Sequence, residues 1–415
     1  MIVRSSDNAI PHCRFCGAAL EHVFADLGAT PLANRNLQPN EQDSERVYPL
    51  IARICSSCLL VQVDDSVPPG EIFSDYDYFS SYSSTWVEHG RRYSEAMIAR
   101  FGLGSHSLVV EVGSNDGCLL KHFKGSGIEV RGIDPAANVA AQAIVEGIPT
   151  EIAFFGVRTA LDMTSRGLAA DLIAANNVLA HVPDINDFVR GFAVLLKPDG
   201  VVTFEFPHVL QLIDGLQFDT IYHEHFFYLS LFAVERILAA AGLRVFDVEE
   251  LPTHGGSLRL YVCHKSASHE ESARVGKLRA AEKHRGLHTV QGYLGFAGRI
   301  EEVKKSFLTF LEGARREGKR VAAYGAAAKG NTFLNYCGVN NADIVAVYDR
   351  NLTKQGKLTP GSHIQIKAPD SVQTDRPDFL VILPWNLVDE IRSSMRIIES
   401  WGGKFVVAVP ATRQL

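Results

Sequence analysis

The sequence predicts an α/β protein: a small zinc-binding N-terminal domain followed by two Rossmann-like units. Three observations carry this. Four of the seven cysteines fall as two Cys-x2-Cys pairs, Cys13/Cys16 and Cys55/Cys58. A buried strand, a glycine turn and a helix start follow one another twice, in "SLVVEVGSNDGCLLKHF" and in "KRVAAYGAAAKGNTFLNYCG". Around them apolar strands alternate with helical stretches, which is the order of a parallel, doubly wound sheet. At 415 residues the chain exceeds the roughly 250–300 residues at which one core stops growing, and the expected domains are 1–67, 68–285 and 286–415.

Taken in order, the paired cysteines Cys13, Cys16, Cys55 and Cys58 make a tetrahedral zinc site of the closed, structural type, with no position left open for catalysis. The segments "FADLGATPLANRNL" and "YPLIARI" read as strands and turns around it, and Pro68, Pro69 and Gly70 punctuate its end. An amphipathic stretch covers 84–101. Strands are expected in "EVRGIDP", "ADLIAANNVLAHVPD" and "LKPDGVVTFEFP", with a helix at 185–196. After "TIYHEHFFYLS" at 220–230 a helix is expected through "FAVERILAAAGLRVFDVEEL", then a strand pair around "GGSLRLYVCHK" and charged helices over 268–316. The last unit adds strands in "DIVAVYDRN" and "PDFLVILPWN".

Forty-one basic side chains against 47 acidic ones, a net charge of −6, leave no electrostatic footprint for nucleic acid or an anionic membrane. No run approaches the ~20 apolar residues of a membrane span, and "MIVRSSDNAIPHC" lacks the apolar stretch of a signal peptide. The expectation is a cytoplasmic protein, monomeric or weakly homo-oligomeric, acting on a small-molecule or nucleotide-linked substrate. The remaining thiols, Cys118, Cys263 and Cys337, are expected to be reduced.

The first glycine turn, "EVGSNDG", follows Glu111 through Gly113 and Gly117, and Asp134 stands about 20 residues on, where an acid accepts from ribose hydroxyls. The dinucleotide fingerprint is absent, because Asn115 and Asp116 occupy the turn. An acidic turn repels a pyrophosphate and tolerates a cationic, phosphate-free cofactor. The succession Gly turn, "GIDP", "ANNVLAHVPD" and "LLKPDGVVTFEFP" resembles the class I S-adenosylmethionine methyltransferases. That resemblance implies cofactor contacts from Glu111, Gly113, Asn115, Gly117, Asp134 and Asn177, with Phe154 and Phe155 flanking the adenine.

Further segments extend the likeness over nearly the whole chain. The four-cysteine head with "FADLGATPLAN", the segment "YDYFSSYSSTW", and "YHEHFFYLSL" followed by "HGGSLR" resemble the bacterial deoxysugar C-methyltransferases, which act on TDP-linked 4-keto sugars. The set Tyr76, His181, Tyr222, Glu224 and His225 is most similar to members that methylate C-3 of a 3-amino-4-keto-2,3,6-trideoxy sugar. The resemblance thus implies S-adenosylmethionine, a structural zinc and a TDP-sugar.

Carbon methylation beside a ketone needs a base for the C–H proton and a donor for the enolate oxygen. Histidine suits the first role, worth ~10²–10⁴-fold; a phenol or second imidazole suits the second, and a carboxylate orients the base. The segment 222–225 holds all three types. If helical, Tyr222 and His225 share a face; if extended, His223 and His225 do; a tight turn could aim Tyr222, Glu224 and His225 together. His225 is the expected base with Glu224 and Tyr222 assisting, His181 the second candidate for base or oxyanion partner, and Tyr76 a contact from the segment over the cofactor.

In the second glycine turn, after Gly325, Lys329 and Asn331 stand at a helix start, where phosphates bind, and Asp349 repeats the position of Asp134. Two other classes remain open: a nicotinamide-dependent sugar-nucleotide oxidoreductase using this turn, and a non-catalytic sugar-nucleotide-binding module.

Overall fold

The computed structural model describes residues 10–65, 67 and 79–415. In the head, β1 (His22–Thr30), β2 (Tyr48–Ile54) and β3 (Val61–Val63) form an antiparallel meander. Strand β2 alternates buried and half-buried side chains residue by residue, the period-2 pattern of a sheet with one apolar face.

The central sheet contains β4 (Leu108–Val112), β5 (Glu129–Ile133), β6 (Thr150–Glu151), β7 (Ala170–Asn176) and β8 (Leu196–Pro207), all parallel. A short strand β9 (Phe227–Tyr228) leaves this unit and pairs with β3, so the head's sheet takes its fourth strand from the middle of the chain. The antiparallel pair β10 (Leu243–Leu251) and β11 (Ser257–His264) then completes a seven-stranded sheet in the order β10-β11-β8-β7-β4-β5-β6. Strand β7 lies in the middle with β4 beside it, and the carboxyl ends of the two open the crevice where doubly wound sheets bind ligands. The stretch expected to be one helix divides: the helix spans Leu231–Ala240, Gly242 adopts φ +77°, and the chain turns back as β10. A left-handed glycine just past the last turn is a common helix stop.

The amphipathic stretch is a helix over Ser84–Phe101, begun by Ser83 accepting from the Trp86 N–H and ended at Gly102. The tail sheet has the order β14-β13-β12-β15-β16-β17, made of β12 (Val321–Tyr324), β13 (Val347–Tyr348), β14 (Ile366–Lys367), β15 (Phe379–Ile382), β16 (Lys404–Val407) and the antiparallel β17 (Arg413–Gln414).

The head packs into both neighbours. Cys13, Leu20, Cys55 and Leu60 are buried in one cluster with Phe188, Phe206 and Phe226 of the core. On its other face Phe24, Leu50 and Ile54 share a cluster with Phe296 and Phe307 of the Phe296–Arg316 helix and with tail strands. The Phe24 and Phe296 rings stack at 4.5 Å; burying a ring of this size contributes ~2–3 kcal/mol. No helix among the described residues is long and apolar enough to cross a membrane.

Candidate active site

The turn after β4 is fixed by backbone bonds. Gly113 N–H donates to Ile133 O at 2.8 Å, and Asn115, at φ +49°, donates its N–H to Asp134 Oδ2 at 2.8 Å. Asp134 Oδ1 accepts from Ala136 N–H at 2.9 Å. Gly117 has φ +74°, and a Cβ there would lie 2.9 Å from Ile148 Cγ1, so both conformation and space require glycine. From the side, Ser80 and Ser81 donate their N–H groups to Asn115 Oδ1 (2.9 Å) and Asp116 Oδ2 (3.0 Å).

Several polar atoms in this crevice have no hydrogen-bond partner among the described residues: Glu111 Oε2, Ser114 Oγ, both amide atoms of Asn176, and Asn177 Oδ1. Burial, with Asp134 and Asp116 nearby, pushes the Glu111 carboxyl well above the usual carboxylate range, and burial raises Asp134 as well. Desolvated carboxyls beside unmatched amides suit a cationic, hydrogen-bonding ligand, and these residues fit S-adenosylmethionine. The two phenylalanines part ways: Phe155 packs edge-on against Phe192 and Phe188 at 4.8 and 5.6 Å, whereas Phe154 is 67% exposed. Asn177, at φ +55°, closes the end of β7 with its N–H on Glu205 O at 2.7 Å.

The segment 220–230 is a tight turn leading into β9, with His225 N–H on Tyr222 O at 2.9 Å. Its side chains diverge. His223 points into the head, where Nε2 meets Pro49 O at 3.1 Å. Glu224 Oε2 accepts from the Asn34 amide of the head. Tyr222 and His225 lie together: the phenol oxygen is 2.7 Å from His225 Nε2, and His225 Nδ1 is 2.9 Å from Thr220 O. A carbonyl only accepts, so Nδ1 carries the proton and Nε2 accepts from the phenol. The group that orients His225 is therefore the Thr220 carbonyl and not the carboxylate of Glu224, which is engaged elsewhere. His181, after β7, sets its ring edge-to-face on His225 with centroids 4.7 Å apart and hydrogen-bonds the Glu224 backbone.

Burial lowers His225 well below the ordinary imidazole value, helped by His181, and brings His181 to about 4. Both are neutral at physiological pH. Burial pushes Glu224 up to about 7, with the Asn34 amide working the other way. Tyr76 lies outside the described residues.

The tail forms the opposite wall. Lys329, in the first turn of the Ala328–Cys337 helix, holds its ammonium 4.7 Å from the Trp385 ring, 3.4 Å from Asn386 Oδ1 and 3.5 Å from His254 O. Trp385 Nε1–H donates to Asp219 Oδ2 at 2.7 Å, one residue before Thr220. Asn331 departs from the expectation of a phosphate contact: it is fully buried, and its amide donates to Ala33 O at 2.8 Å. The helix carries it on the face turned to the head.

Residues that sequence reasoning passed over complete the site. Buried Glu205 accepts from Arg259 at 2.7 Å, faces His89 Nε2 at 3.0 Å and takes the Thr253 hydroxyl at 3.2 Å, tying the Ser84–Phe101 helix to the sheet's working edge. Asn34, Asn176, Asp219 and Trp385 were equally silent; only Asn176, beside Asn177 in "ANN", had a local signal.

In the head the four cysteine sulfurs lie within 4.8 Å of one another, with Cys13–Cys58 at 3.6 Å and Cys16–Cys55 at 3.5 Å. Tetrahedral zinc–thiolate bonds of ~2.3 Å separate sulfurs by about this much. Gln62 Nε2–H donates to Cys13 Sγ at 3.2 Å, the kind of second bond that steadies a metal-bound thiolate. The four residues fit zinc.

Comparison with known proteins agrees with this division of labour. Family models match in succession: a zinc binding domain over residues 13–73, a methyltransferase domain over 86–248 and a C-methyltransferase C-terminal domain over 252–410. The C-methyltransferase NovU of Streptomyces niveus is 35% identical over 406 residues, spanning 97% of this chain and 96% of its own length. A ubiquinone biosynthesis O-methyltransferase of Bordetella avium is 32% identical over 98 residues, 23% of this chain and 41% of its own. Among solved structures, magnesium protoporphyrin IX methyltransferase from Synechocystis PCC 6803 aligns over 47% of this chain and 89% of its own, at 14% identity and a TM-score of 0.33.

Proposed function

The chain belongs to the family of the C-methyltransferase NovU and is an S-adenosylmethionine-dependent C-methyltransferase; from that premise we propose that it methylates C-3 of a TDP-linked 3-amino-4-keto-2,3,6-trideoxy sugar. The observation that carries the reading is the relay Thr220 O···H–Nδ1 His225 Nε2···H–O Tyr222. It leaves a neutral imidazole with one fixed tautomer and one accepting nitrogen.

In this reading His225 Nε2 takes the C-3 proton, and the C–H electrons form the enolate C3=C4 bond. Once Nε2 carries that proton it no longer accepts from Tyr222, whose hydroxyl is then free to donate to the 4-oxygen. The cofactor supplies an electrophilic methyl to the enolate carbon. His181, edge-to-face on the His225 ring, is the second candidate for the base or the oxyanion partner. Glu224 accepts from the amino group that the reacting carbon itself carries. Lys329 offers the cation for the diphosphate. The acidic core turn disfavours the nicotinamide alternative, since among the described residues no cluster of cationic side chains there answers a pyrophosphate.

Binding of S-adenosylmethionine with no affinity for NADH, together with methyl incorporation at C-3 of the sugar nucleotide, tests the assignment. Methylation at another carbon would overturn the C-3 assignment, and tight NADH binding would favour the oxidoreductase.

A further inference from the structure

The head does more than hold zinc. Its loop from Pro31 to Glu45 is fastened to the tail along its length. Ala33 O accepts from Asn331 at 2.8 Å, Leu37 exchanges backbone bonds with Leu358 at 3.0 and 2.8 Å, and Glu45 takes Gly361 N–H at 3.0 Å and lies 2.8 Å from His363 Nε2. From this braced loop the exposed Asn34 reaches across to Glu224 Oε2. The catalytic turn is gripped by the head on its other side as well, through His223 on Pro49 O, β9 on β3, and Arg14 stacked 4.7 Å over Phe226.

We propose that the head is a working part of the catalytic site, with Asn34 the positioning residue that holds the Glu224 carboxylate toward the substrate; this rests on the reading of 222–225 as the reacting turn. Two neighbours on one loop then do complementary work: Ala33 sets the distance to the tail helix that bears Lys329, and Asn34 sets the carboxylate. An amide N–H donated to a carboxylate favours its ionised form, so Asn34 keeps Glu224 from being protonated further into the working pH range. The ionisable groups nearest Glu224 in the fold are His181, which meets its backbone, and its chain neighbours His223 and His225, whose side chains turn away to Pro49 O and to Tyr222, with Lys329 facing His225 from the tail. The three histidines are neutral near pH 7, their values lowered by burial, which leaves Asn34 as the opposing influence on the carboxyl.

The test compares kcat–pH profiles of the full-length wild type, Asn34→Ala, Asn34→Asp and Glu224→Gln, with S-adenosylmethionine affinity and melting temperature measured alongside. In Asn34→Ala the acid limb moves up by about one pH unit, so kcat at pH 7 falls about fivefold and recovers on raising the pH. Asn34→Asp moves it further, Glu224→Gln abolishes the limb, and cofactor affinity stays unchanged in all three. An unmoved limb in Asn34→Ala, or a loss equal at every pH, overturns the inference while leaving the proposed function standing. A wild type that neither methylates the sugar nor exchanges its C-3 proton overturns the function itself.

Discussion

The core and the tail contain the same turn, and only one of them is built to receive a cofactor. In the core Gly113 N–H donates to Ile133 O, and Asp134 accepts from Asn115 and Ala136 N–H at 2.8 and 2.9 Å. In the tail Gly325 N–H donates to Tyr348 O, and Asp349 accepts from Ala326 and Asn351 N–H, both at 2.8 Å. The glycine N–H bond and the bond from two residues past the acid correspond, while the other N–H on the acid comes from two residues after the glycine in the core and one after it in the tail; the surroundings differ further. The core turn faces Glu111, Asn176 and Asn177 with atoms left unmatched. The tail turn is plugged: Lys354 Nζ donates to Ala326 O at 2.8 Å, and Pro384 sits where a Cβ on Gly325 would lie 2.6 Å away. A second-strand acid therefore braces the glycine turn first, and becomes a ligand only where neighbouring side chains leave donors and acceptors open.

The sharpest way to break this comparison is to remove each acid. Asp134→Ala should weaken S-adenosylmethionine binding about 10–100-fold in calorimetry, because two backbone N–H groups of the turn lose a charged partner. Asp349→Ala should lower the melting temperature and leave that affinity within about twofold. A milder probe is pH. Glu111 and Asp134 have raised values and are protonated earlier on acidification than carboxyls of ordinary value. Affinity for the cationic cofactor should fall on acidification, beginning at a higher pH than carboxyls of ordinary value would give. Mildest of all, removing zinc with a chelator touches neither glycine turn: turnover should fall as the head releases the 222–228 segment, while cofactor binding changes little and far-UV dichroism of the large sheets persists.

The sequence shows the two turns, the cysteine pairs and the alternation of strands plainly, because each is a local pattern written within 20 residues or so. It shows much less of how the three parts meet. Strand β9 is two residues long and finds its partner in β3, far away in sequence, so no periodicity announces it. Asn34 with Glu224 and Trp385 with Asp219 lie 190 and 166 residues apart, and neither pair belongs to a motif. Asn331 had the right residue type at the right offset from a glycine turn, yet the helix face it occupies is turned to the head. The plug in the tail turn is likewise invisible locally, since Pro384 comes from another strand's end.

The central claim is that His225 removes the C-3 proton, and solvent exchange tests it most directly. With the 4-keto sugar nucleotide in deuterated water, the wild type should wash deuterium into C-3, followed by NMR, and His225→Asn should slow that exchange by ~10²–10⁴-fold while binding S-adenosylmethionine as tightly as before. Exchange at the wild-type rate in His225→Asn would contradict the account.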